Sequence, residues 1–204
     1  DVNKMLDRLK EMTARMPTPH LRALFDLFWA DADFVAAYTR APAAKHMHHA
    51  YIGGLLEHTL SMAILSETIA KHYSGVDSDL LLAGVILHDV GKTRELDYYR
   101  RIDYTDEGRL LSHIVIGLSM LDEKLKQLPD FPEDQAQLLK HMIVSHHGAR
   151  EFGSPEPPKT IEAVLLNYID EMDSRVNSIR EYVAKDHEQE VEGSQRERPT
   201  QAPG

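Results

Sequence analysis

Apolar positions return at intervals of three and four along nearly the whole chain, the repeat of an α-helix with one buried face. Residues 2–15 form one amphipathic segment, stopped by Pro17 and Pro19, and residues 20–30 and 33–40 predict two shorter helices. Residues 41–50 read as irregular chain leading into a helix over 51–74, on which Leu55, Leu56, Leu60, Ala63, Ile64 and Ile69 line a broad apolar side. Ser74 and Gly75 end it. Asp77 or Ser78 can cap the next helix, about 79–89, whose LLLAGVIL run is apolar all round and so predicts a helix inside the core. Gly91 is expected to close that helix in a left-handed conformation. Residues 97–106 are strand-like, with turn chemistry at Asp106, Glu107 and Gly108. Helices return at about 110–127, 133–147 and 159–186, separated by Pro129, Pro132, Pro155, Pro157 and Pro158. The fold class is therefore all-α, a helical bundle with at most one short β-hairpin.

Composition narrows the picture. With 204 residues, 42% hydrophobic and 27% charged, the chain supports one globular domain with a substantial core. Residues 1–19 read as an N-terminal connector helix, 20–187 as the domain, and 188–204, rich in Glu, Gln, Arg, Pro and Gly, as a disordered tail. There is no internal repeat. No apolar run has membrane-spanning length and the start carries no signal-peptide pattern, so no membrane partner and a cytoplasmic location are expected. The chain begins without Met and reads as a fragment or a processed form. It has no cysteine, which excludes disulfides, thiolate zinc sites and thiol nucleophiles; any metal must sit on His, Asp and Glu. A net charge of −10 argues against a broad nonspecific nucleic-acid groove, although bound divalent ions would still draw in a phosphate locally.

The 12 histidines matter by their placement. His88 and Asp89 stand at the buried end of the all-apolar helix, where an ionisable pair is costly unless compensated or metal-bound. Alone, the pair reads equally well as a satisfied core His beside a helix-terminal Asp. However, His58 lies on the preceding helix, His113 at the start of the helix after the strand-like stretch, His146 and His147 at the end of the next, and Asp170 within the last. Five successive elements that each bring a His or Asp to a core segment suggest ligands converging inside a bundle. Imidazoles bind borderline transition metals, and a carboxylate can bridge two ions. Two ions about 3.5–4 Å apart can hold a phosphoryl oxygen and activate water at neutral pH. The expected cofactor is thus a divalent metal, two ions, with Mn, Fe, Co or Ni favoured over Zn or Mg. Lys92, in HDVGK, suits a substrate phosphate better than a metal; the alternative is a solvated Lys past a helix end.

These residues carry a resemblance. The order His58, His88-Asp89, Asp170 resembles the HD superfamily of metal-dependent phosphohydrolases. HHAYIGGLLEHTLSMA (48–63), LLLAGVILHDVGK (80–92), GRLLSHIVIG (108–117), LKHMIVSHHGAREFGSP (139–155) and LLNYIDEMDSRVN (165–177) look like the YhaM-type 3′→5′ exoribonucleases, also described as a CMP-binding-factor family. The similarity covers about 20–185 and is far more specific than a lone His-Asp dipeptide. It implies an HD-domain bundle in which His58, His88, Asp89 and Asp170 hold one metal, with His113 and His146 for a second. His147 can replace or join His146, since adjacent helical residues point about 100° apart and spacing does not choose between them. Asp173, on nearly the same face as Asp170, is either a supporting carboxylate or a solvated one. Members of that family usually carry an OB-fold nucleic-acid domain upstream, and residues 1–16 look like the connector that would follow it.

The resemblance implies phosphodiester hydrolysis, with single-stranded RNA degraded from its 3′ end, Asp89 at the centre of the chemistry and Lys92 on a non-bridging oxygen. A nucleotide or cyclic-nucleotide phosphohydrolase is the alternative enzyme, and a nucleotide-binding regulatory module the alternative of another class. His48, His49 and Arg150 are further candidates for substrate contact. Arg100, Arg101 and Arg109 read mostly as surface charge, His141 as structural, and His20, His72 and His187 as surface residues. Phe25, Phe28 and Trp29 read as core packing. Nothing in the sequence sets an oligomeric state.

Overall fold

The structure is a computed structural model that describes residues 1–45, 51–98 and 102–196, with side chains described as far as residue 184. Helix α1 (Val2–Ala14) is capped by Asp1, whose carboxylate accepts from the N–H groups of Asn3 and Lys4. Helices α2 (Pro19–Ala30) and α3 (Ala32–Tyr38) follow. They bring Phe25, Phe28, Trp29, Phe34 and Tyr38 into one aromatic cluster, with Phe25 and Trp29 stacked 6.0 Å apart. Trp29 satisfies its indole N–H on the Thr13 hydroxyl at 3.0 Å, which ties α2 to α1. Leu6, Leu9 and Met12 of α1 belong to the same core as the rest of the chain, so the segment expected as a connector packs on α4 and α2.

The centre of the bundle is α5 (Ser78–Leu87), which packs against α2, α4 (Gly54–His72), α8 (Glu133–Ser145) and α9 (Ile161–Arg196). Every residue from Leu80 to Leu87 is buried, as an all-round apolar helix requires. Each buried Leu, Ile or Val there contributes about 1.5–3 kcal/mol. The polar N-terminal end of α5 is capped and tied to neighbouring elements. Asp77 caps the first turn, Asp79 accepts from the Thr18 N–H at 2.9 Å, and Glu162 of α9 accepts from the Asp77 N–H at 2.9 Å. Beyond α5 come the short helix α6 (Lys92–Glu95) and a two-stranded antiparallel hairpin, β1 (Leu96–Asp97) with β2 (Asp103–Tyr104). The fold is the all-α bundle with one small hairpin that the patterning predicts.

Four local expectations are corrected. Gly91 is right-handed, with φ −61°. Its lack of a side chain matters because a Cβ there would lie 2.0 Å from the His113 carbonyl oxygen, so glycine lets α7 (Asp106–Leu125) close onto the α5–α6 turn. Ile64 is 49% exposed, because the face of α4 it shares with Ser61 turns outward beside α9. His20 is half-buried, set edge-on to Phe131 at 5.1 Å. Helix α9 runs on to Arg196, past the start of the polar segment at Glu188.

Helix α7 is broken once. Ser112 has φ 61° and ψ 161°, a conformation close to glycine-only space that costs of order 1–3 kcal/mol in another residue. The break withdraws the His113 N–H from the helical ladder and turns it toward α6.

Gly91→Ala should lower stability by about 3 kcal/mol, since the obstacle is backbone that cannot repack. Gly75→Ala, at φ 83° with open space around it, should cost only about 1 kcal/mol. Denaturant midpoints measure both; equal losses would contradict the close-approach argument.

Candidate metal centre

Five helices deliver the ionisable residues to one place. His58 comes from the second turn of α4, His88 from the C-terminal end of α5 and Asp89 from the turn beyond. His113 follows the break in α7, His146 and His147 follow α8, and Asp170 lies on α9. The imidazole rings form a chain: His58 to His88 at 5.6 Å, His88 to His146 at 5.1 Å, His146 to His113 at 5.5 Å, and His113 to His147 at 5.2 Å. They resolve into two donor groups, His58 with His88 and Asp170, and His113 with His146 and His147. Within each group the ligand atoms lie within 4.8 Å of one another.

Four of the rings are oriented by what their Nδ1 atoms bond. His88 Nδ1–H donates to the Val85 carbonyl at 2.8 Å, and His146 Nδ1–H to the Ile143 carbonyl at 2.7 Å. Carbonyls only accept, so these bonds fix the tautomer and leave Nε2 with its lone pair facing inward. His58 Nδ1 donates to the Asp173 carboxylate at 2.8 Å, and Ser61 holds the other oxygen of that carboxylate. His113 donates twice to Glu95 Oε1, from its backbone N–H at 2.9 Å and from Nδ1 at 3.1 Å. The backbone bond is the one that the break at Ser112 releases. Such outer partners orient ligands and raise their basicity.

Asp89 lies between the two groups. Its Oδ2 is 3.3 Å from His88 Nε2, while its Oδ1 is 3.5 Å from His113 Nε2 and 3.6 Å from His146 Nε2. His88 Nε2, Asp89 Oδ1, His113 Nε2 and His146 Nε2 are all buried, and none has a hydrogen-bond partner. Leaving one buried polar group unpaired costs about 1–3 kcal/mol. Four such atoms gathered about one carboxylate, all able to offer lone pairs, fit divalent cations and little else. These clusters can hold metal.

The electrostatics agree. Burial works against ionisation of Asp89, but Lys92, whose Nζ is 2.6 Å from Oδ2, and the neighbouring imidazoles outweigh it and hold the carboxyl well below its usual range. Burial likewise opposes the Lys92 charge, and Asp89 more than restores it. Burial and the nearby imidazoles push His146 well below the usual histidine value and His147 down as well, so both stand as neutral imidazoles able to offer a lone pair. Burial lowers His58, but the hydrogen bonds it donates to the Asp170 and Asp173 carboxylates dominate and raise it to about 9, so a cation at Nε2 would displace a proton there.

The structure thus brings together His58, His88, Asp89, Lys92, His113, His146, His147 and Asp170. Both His146 and His147 fall in the second group. His48 and His49 lie outside the described residues, as do Arg100 and Arg101. Arg150 is exposed, paired with Glu156 at 2.8 Å. Arg109 is exposed and pairs with Asp103, and His141 accepts from the Lys159 N–H at 2.9 Å. Sequence reasoning missed Glu95. No periodic signal marks it: a lone Glu in a four-residue helix acquires its role only when α7 folds back onto it. A cleft of about 560 Å³ opens beside the centre, lined by His146, His147, Asp170 and residues of α9 and the loop after α8.

A family model described as HD domain matches residues 55–175, more than half of the chain and every donor just named. The chain belongs to the HD domain family. A model described as a putative helicase matches residues 3–75. Among curated proteins, the HD chain is 38% identical over 175 residues to the 3′-5′ exoribonuclease YhaM of Bacillus subtilis (strain 168), covering 86% of this chain and 55% of that protein. It is 36% identical over 175 residues to the protein of the same name from Shouchella clausii (strain KSM-K16), covering 86% and 54%. The chain spans about half the length of the curated relatives it matches. No solved structure matches it significantly. Among the described residues, no helix is long and apolar enough to cross a membrane.

Two outcomes are expected from titrating the metal-stripped chain with Mn²⁺. Asp173→Ala and Glu95→Ala should each weaken binding of one ion 10–100-fold while helical circular dichroism is unchanged. Saturation at about 100 times Kd should add about 2.7 kcal/mol of stability, seen as a higher Tm that chelator reverses.

Proposed function

We propose that this HD domain is a metal-dependent phosphodiesterase that removes nucleotides from the 3′ end of single-stranded RNA. The observation that carries the reading is the pair of donor groups on opposite oxygens of one buried carboxylate, Asp89, with the Nε2 atoms of His88, His113 and His146 left without a hydrogen-bond partner. The relatives' activity, that of 3′-5′ exoribonucleases, supplies the substrate class.

Two ions are proposed. His58, His88 and Asp170 would hold one, and His113, His146 and His147 the other, with Asp89 shared. An imidazole-rich set disfavours Mg²⁺, and a shared carboxylate with open positions suits Mn, Fe, Co or Ni better than closed tetrahedral Zn. Bound there, divalent ions would neutralise the phosphodiester and make water nucleophilic at neutral pH. The chain's own groups do the rest. Asp173 and Glu95 keep His58 and His113 in the ligating tautomer. Asp89 stays ionised through Lys92. Lys92, with its side chain 17% exposed, is the cation placed to meet a non-bridging phosphate oxygen at the edge of the centre. The leaving group is the 3′ oxygen of the penultimate nucleotide, and the product a nucleoside 5′-monophosphate.

A second reading is a phosphohydrolase of free nucleotides. The cleft of about 560 Å³ is of small-molecule size, and the net charge of −10 provides no broad track for a polyanion.

The deciding experiment offers the metal-loaded chain a labelled RNA oligomer, the matching DNA and bis(p-nitrophenyl) phosphate, with Asp89→Ala alongside. Stepwise shortening of RNA from its 3′ end, lost in Asp89→Ala, is expected. Lys92→Ala should lower kcat/KM by roughly 10²-fold. Cleavage of the small diester alone would move the substrate to nucleotides, and no cleavage with any metal would leave only a binding module.

A further inference from the structure

The walls of the cleft beside the metal centre include two aromatic rings that pack on little. Phe152 is 75% exposed and Tyr168 is 64% exposed, and both line the cavity that reaches His146, His147 and Asp170. Single exposed aromatic residues are ordinary on protein surfaces. These two differ because they share one cleft, the cleft contains residues of both donor groups, and each ring is carried on backbone that is held in place.

The loop carrying Phe152 is fixed from several sides. Asn167 donates from its side-chain amide to the His146 carbonyl at 2.7 Å, and Gly148, at φ 81°, leaves room for that amide where a Cβ would lie 2.9 Å from it. Arg150–Phe152 form a 3-10 turn closed by Gly153 at φ 96°. The buried Ser154 hydroxyl donates to the Val144 carbonyl at 3.2 Å, and the Lys159 N–H bonds His141. Glu156 joins Arg150 and Lys159 across the loop at 2.8 and 2.9 Å. A turn this constrained holds a phenyl ring out toward water, where it gains almost nothing from burial. Tyr168 is fixed in a different way: it sits on α9 two residues before Asp170, so its ring is carried at a set offset from a ligand.

We propose that Phe152 and Tyr168 are the nucleobase-stacking positions of this enzyme, together receiving the 3′-terminal base of the strand whose phosphate lies at the metal centre. Every base offers a π-face, so stacking of this kind binds without selecting sequence, as stepwise degradation requires. It also supplies grip without positive charge, which an acidic chain needs. The proposal rests on the phosphodiesterase reading above.

The test compares binding of AMP and ribose 5-phosphate to the full chain loaded with Mn²⁺, by calorimetry. Wild type should bind AMP roughly tenfold or more tighter than ribose 5-phosphate. Phe152→Ala and Tyr168→Ala should each reduce the AMP affinity roughly fivefold or more and leave ribose 5-phosphate unchanged, and Phe152→Trp should retain the preference. On an RNA oligomer the alanine variants should raise KM for a normal 3′ end while matching wild type on an oligomer with an abasic 3′ end. Equal wild-type affinity for the two monophosphates, or a preference that survives both alanine variants, overturns the stacking assignment even if RNA is hydrolysed. A preserved AMP preference in a chain that hydrolyses no diester supports stacking and sinks the nuclease reading instead.

Discussion

A carboxylate sealed at the end of an apolar helix, with imidazole lone pairs pointing at both of its oxygens, is the constraint around which this protein is organised. Asp89 is 3% exposed and His88 is wholly buried. Isolated, such a charge would cost several kcal/mol. Lys92 offsets part of that, but it reaches only Oδ2, and Oδ1 faces His113 and His146 across gaps too long for hydrogen bonds. His146 has its Nδ1–H committed to a carbonyl, and His113 has Nδ1 committed to Glu95. A cation is the species that completes the arrangement.

Much of the fold can be read as the means of holding that point still. Helix α5 is apolar on every side so that it can be gripped by its neighbours, and its last turn carries the central pair into the core. Gly91 lets α7 approach closely enough for His113 to reach Asp89. Ser112 adopts a strained conformation one residue before His113, and the freed N–H finds Glu95. Strain beside a ligand, repaid by packing elsewhere, is a common signature of a functional site.

The two donor groups are not equivalent. One contains the Asp170 carboxylate and has Asp173 behind His58, while the other consists of three imidazoles with Glu95 behind His113. The first is the harder and more negative position, the second the softer and more neutral. The cleft opens at Asp170, His146 and His147, so its mouth touches both.

The order of elements, the buried character of α5 and the hairpin near residue 100 were legible in the sequence, because each follows from local periodicity and turn chemistry. So were the donors His58, His88, His113, His146 and Asp170, since polar residues recurring on successive core segments leave a mark in the pattern itself. Glu95 left none, because its partner is 18 residues away and only a close helix contact joins them. Gly91 was misread as a left-handed cap because the contact that demands glycine comes from another helix. What the sequence determined alone was which residues would lie at the core ends of helices, a matter of one-dimensional spacing. Tertiary structure alone decided which nitrogen of each imidazole faces inward and how the donors divide into two groups about Asp89. Those depend on hydrogen bonds and distances between segments that no local pattern encodes.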